Sequence, residues 1–60
     1  METFETLLNE YLQGEITLID LMFDSLEYLD NDIHAVIDRL SQVSEIGMNS
    51  DELLEYYDEN

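Results

Sequence analysis

Asp20, Asp24 and Glu27 recur at i, i+4 and i+7, the spacing that stacks side chains along one edge of a helix. A row of carboxylates can share protons as an acid-base pair, hold a divalent cation, or present negative charge to a basic surface. The first needs two acids held in a cleft, and 60 residues leave little room for one. The second centres on Asp30-Asn31-Asp32, which opens like an oxygen-ligand loop. Counted from Asp30, however, positions 5, 6 and 12 are His34, Ala35 and Ser41, where an EF-hand needs Asp or Asn, Gly and Glu. The chain has no cysteine and one histidine, too few ligands for a zinc tetrad. Ser25 has neither a base nor a Gly-rich elbow near it in sequence. His34 and Asp38 are spaced for an i, i+4 hydrogen bond, with no third ligand or nucleophile nearby. No enzyme, metal site or cofactor is expected. Presentation of charge is the chemistry that remains.

The charge balance points the same way. Sixteen Asp and Glu stand against Arg39 alone, for a formal net charge of −15. Surfaces shaped only for solubility mix both signs, and self-repulsion at this density destabilises the compact state. Direct binding to nucleic acid or to an anionic membrane is disfavoured, because both need Lys and Arg to meet phosphate. The partner surface expected is basic. Arg39 has no acidic residue at i±3 or i±4, so its ion-pair partner is expected on another helix or another chain.

The elements that position these acids follow from apolar spacing. Phe4, Leu7, Leu8, Tyr11 and Leu12 fit one helical face, with Thr3 as N-cap, Glu2 and Glu5 in the first turn, and Gly14 in the C′ position. Thr17 and Asp20 have capping-box spacing with Asp in place of Glu. From Leu18 to Leu29 the apolar residues cover an arc of roughly 220°, about twice what one neighbour needs. This central helix should be flanked by two or more helices or by a second copy, and Ser25 within its arc is read as a small residue allowing close approach. Asp30-Asn31-Asp32 breaks the chain and caps a third helix, whose stripe is Ile33, Val36, Ile37, Leu40 and Val43 and whose C′ candidate is Gly47. Asn49 or Ser50 can cap a last helix, Asn49 with Glu52 having capping-box spacing, and that helix is apolar at Leu53, Leu54, Tyr56 and Tyr57. Its acidic last turn opposes the helix dipole and should fray. Tyr11 and Tyr28 are expected in the core with solvated hydroxyls.

The expected fold is all-α, a bundle of three to four short helices at about 3–13, 17–29, 32–45 and 50–58, forming one acidic domain over 1–60. A chain this short buries only ~60% of its unfolded surface, which leaves room for a weak homodimer. No stretch approaches the ~18 apolar residues of a membrane span, and METFETLLNE lacks the basic region of a signal peptide. A cytoplasmic protein is expected.

Carboxylates one helical turn apart lie ~5–6 Å from each other, close to the ~7 Å between phosphates implied by B-form geometry. Two patches follow: Asp20, Asp24 and Glu27; and Asp51, Glu52, Glu55, Asp58 and Glu59. Asp30 and Asp32 are expected to join them across a loop, and Tyr56 or Tyr57 to touch the partner as an amphipathic aromatic. In size and charge over its whole length, and locally in SDELLEYYDEN from Ser50 to Asn60, the chain resembles the small acidic DNA-mimic inhibitors of phages and mobile elements, of the anti-restriction and anti-CRISPR kind. The resemblance implies a non-catalytic inhibitor that occupies the nucleic-acid site of a nuclease, a CRISPR effector or a similar basic protein. The competing reading is a structural or adaptor module, its wide apolar arc completed by a homodimer or a partner helix.

Overall fold

Each helix starts where a short polar side chain can take an orphan backbone N–H. The computed structural model describes residues 3–60, so the expectation for Glu2 lies outside the described residues. Over them the chain forms four α-helices and no strand: α1 Phe4–Leu12, α2 Leu18–Ser25, α3 Ile33–Ser41 and α4 Ser50–Glu59, with a 3₁₀ turn at Leu26–Tyr28 directly after α2. Thr3 accepts from Thr6 N, Thr17 from Asp20 N, and Asp32 from His34 N. Asn49 accepts from Glu52 N at 2.8 Å while Glu52 accepts from Asn49 N at 3.2 Å, a complete capping box. The box expected at Thr17 is only half formed. Asp20 is one methylene shorter than the Glu that would reach back.

The helix ends differ more from the sequence expectation. α1 closes as expected, with Glu15 N donating to Glu10 O, Gly14 N donating to Tyr11 O, and Gly14 at φ +81°. That is a Schellman motif with glycine in its left-handed position. The central helix, expected to reach residue 29, leaves α geometry after Ser25. There Leu26 O accepts from Leu29 N and Asn31 N, and Asp30 and Asn31 both take left-handed φ of 57° and 56°, a region that Asp and Asn tolerate better than other side chains. The third helix, expected to reach 45, stops at Ser41, whose hydroxyl bonds back to Asp38 O at 2.8 Å. Such local bonding competes with helix continuation. Gly47 is therefore not the C′ residue of α3; at φ +68° it turns the chain ahead of α4. At the far end, Asn60 caps α4 by donating to Tyr56 O at 2.7 Å.

The core is Phe4 and Leu7 of α1, Leu18, Leu21 and Met22 of α2, Val36, Ile37 and Leu40 of α3, and Leu53 of α4. Burying each large side chain contributes ~1.5–3 kcal/mol. α2 packs on α1 and α3, α3 packs on α4, and α2 also reaches α4 through Phe23 and Tyr57. The wide apolar arc thus finds neighbours on three helices. It is not wholly covered: Phe23 and Tyr28 stay exposed, which corrects the expectation that Tyr28 belongs to the core. Among the described residues no helix is long and apolar enough to cross a membrane.

Candidate interaction surface

All ten carboxylates assigned from sequence, Asp20, Asp24, Glu27, Asp30, Asp32, Asp51, Glu52, Glu55, Asp58 and Glu59, are exposed. Asp20 and Asp24 lie one turn apart on α2, with Glu27 in the 3₁₀ turn. Because 3₁₀ winding brings i and i+3 towards eclipse, the change of helix type keeps Glu27 on the Asp20–Asp24 row. On α4 the acids occupy the face away from Leu53. Two carboxylates also hold caps: Asp32 Oδ1 accepts from His34 N at 3.0 Å, and Glu52 serves the Asn49 box.

The aromatic residues link the two rows. The Phe23 and Tyr57 rings lie with centroids 5.4 Å apart at 51°, within the range of favourable tilted aromatic pairs. This contact joins the acidic helices α2 and α4, and Asp30 and Asp32 lie in the connection between α2 and α3. Tyr56 and Tyr57 are half-buried and pack on the core. Phe23 is 47% exposed. Sequence reading placed it inside the apolar arc. Its signal was there, since at ~100° per residue Phe23 borders the row formed by Asp20, Asp24 and Glu27, and an arc of that width leaves one edge in solvent.

Arg39 corrects a second expectation. Its guanidinium carbon sits 4.8 Å from the centroid of the Phe4 ring, and among the described residues it makes no ion pair. Of the two places its spacing left for a partner, another helix or another chain, the helix within this chain offers a π-face and not a carboxylate. Beside this contact, α1 and α3 leave an open groove of about 450 Å³ lined in part by Leu8, Leu12, Arg39 and Val43. The His34–Asp38 bond that the spacing permits is not made: the Asp38 carboxylate accepts from Gln42 Nε2 at 3.4 Å. Ser25 is fully buried, and its Oγ has no hydrogen-bond partner. Among the described residues no three Asp, Glu or His side chains come close enough together to hold a metal ion.

Fold and surface together define a small all-α bundle covered with carboxylates. Comparison with protein-family models, curated proteins and solved structures finds no match to this chain.

Proposed function

We propose that this protein is a non-catalytic acidic binding protein that occupies the nucleic-acid site of a basic DNA- or RNA-binding protein, such as a nuclease or CRISPR effector, by presenting carboxylates in place of phosphates. The observation that carries this reading is a net charge of −15 with a single cation, its ten assigned carboxylates in solvent on a folded scaffold. The charge density suits the role. A DNA duplex 30 Å long carries about 18 phosphate charges at one per 1.7 Å; this chain carries 16 acidic side chains in a body of 30 × 24 × 20 Å. Association with a basic groove would be steered at long range and weakened by salt.

The test is capture from nuclease-treated bacterial extract on the tagged protein, eluted with rising salt and, separately, with duplex DNA. A nucleic-acid-binding protein released by both is the expected result. Capture that survives salt and ignores DNA would overturn the reading. Against the captured partner, Asp24→Lys with Glu27→Lys should weaken binding about tenfold or more through like-charge contacts and raise the melting temperature by relieving self-repulsion. Unchanged affinity would remove the α2 row from the surface.

A second reading draws on the exposed apolar side chains Leu12, Phe23, Tyr28 and Leu54: an adaptor completed by a second copy or a partner helix. It requires stability that rises with protein concentration and an assembly indifferent to salt. Sedimentation at two salt concentrations separates the two.

A further inference from the structure

The exposed apolar surface between the two acidic helices differs from anything a phosphate track would need. Phe23, 47% exposed, leans on Tyr57 at 5.4 Å, and Leu54, 36% exposed, stands one turn before Tyr57 on α4. On one side Phe23 is bordered by Asp20 and Glu27, its i−3 and i+4 neighbours. On the other, Leu54 is bordered by Asp51 and Asp58, its own i−3 and i+4 neighbours. All four acids are exposed. An apolar centre with a charged rim is the usual anatomy of a protein interface, and aromatic anchors near the centre carry most of the binding energy.

Building on the acidic-surface reading above, we propose that Phe23, Tyr57 and Leu54 form the anchoring centre of the contact, and that they take a basic protein segment bearing arginine beside an apolar side chain. Charge complementarity fixes the class of occupant. A second copy at −15 would be repelled by the same rim, and duplex DNA more so. Arginine is favoured over lysine because its planar guanidinium lies flat on an aromatic face while its N–H groups reach carboxylates beside the ring. The chain already contains a guanidinium over an aromatic face once, in Arg39 over Phe4 at 4.8 Å, there without a carboxylate paired to it among the described residues. The exposed face of Phe23 offers the same ring with carboxylates near it.

The test uses the full ¹⁵N-labelled chain and three synthetic probes: an amphipathic arginine–leucine peptide, its lysine–leucine counterpart, and octa-arginine. Backbone amide shifts are followed during titration at low and at moderate salt. The arginine–leucine peptide is expected to shift Phe23, Leu54 and Tyr57 and their acidic neighbours most. It should bind about threefold tighter than the lysine peptide and lose about tenfold in affinity with Phe23→Ala. Leu12→Ala, at an exposed leucine on α1, should bind as the unaltered chain does, and the amide spectrum of each variant shows whether it is folded. Equal shifts over Glu5, Glu15, Glu45 and the two rows, with Phe23→Ala without effect, would overturn the anchoring centre and leave the acidic-surface reading standing. No binding of any probe at low salt would overturn both. Concentration-dependent shifts at Phe23 and Tyr57 without peptide would assign the patch to a second copy and overturn the proposed occupant.

Discussion

Ser25 sits at the centre of the bundle with no exposed surface and no partner for its hydroxyl. A buried hydroxyl without a hydrogen bond costs ~1–3 kcal/mol, and the size of serine, not its polarity, suits the site. Ser25→Ala is therefore expected to stabilise the protein by about 1 kcal/mol, raising the melting temperature by about 4–8 °C for a domain this small. A lower urea midpoint would show that the hydroxyl has a partner after all. The smallness of Ser25 was legible in its place inside an apolar arc; its lack of a partner was not, because hydrogen-bond satisfaction depends on which backbone carbonyls are free. Arg39 shows the same limit. Its spacing excluded an acidic partner on its own helix and so pointed to another element, yet only packing decided between a carboxylate and the Phe4 ring.

At the scale of elements, beginnings were easier to read than ends. A helix start is written in one side chain: Thr3 and Thr17 cap as their spacing suggested, and packing selects Asp32 from Asp30-Asn31-Asp32 and Asn49 over Ser50. Ends depend on competition among backbone carbonyls. The apolar stripe of α3 runs on to Val43, but the helix stops at Ser41 where the hydroxyl bonds backwards. The α1 end is the exception, since glycine announces it. Gly14 holds φ +81°, and a Cβ added there would meet nothing within 4 Å. Gly14→Ala isolates backbone strain from steric clash and is expected to cost about 1 kcal/mol, the left-handed penalty reduced by the lower entropy of the unfolded chain. Urea denaturation measures it. An unchanged midpoint would mean that the α1–α2 connection relaxes into another turn.

For the whole molecule, the candidate surface was half legible. Helical periodicity put Asp20, Asp24 and Glu27 and the five acids of α4 on solvent faces, and all eight are there. Their relation was not readable, because it rests on a tertiary contact between residues 34 positions apart, Phe23 and Tyr57. That contact is unusual here, since the main helix–helix packing joins elements consecutive in the chain: α1 with α2, α2 with α3, and α3 with α4. The consequence lies in time. Chains whose contacts are local close only short loops on the way to the native state, and helical bundles of this kind fold in microseconds to milliseconds. Temperature-jump relaxation followed by tyrosine fluorescence should fall in that window; a phase slower than about 10 ms would point to a late step beyond helix pairing. A bundle that carries sixteen acidic side chains against one base opens readily, yet by this reasoning each opening is brief, and a binding surface lost in one excursion is rebuilt within milliseconds.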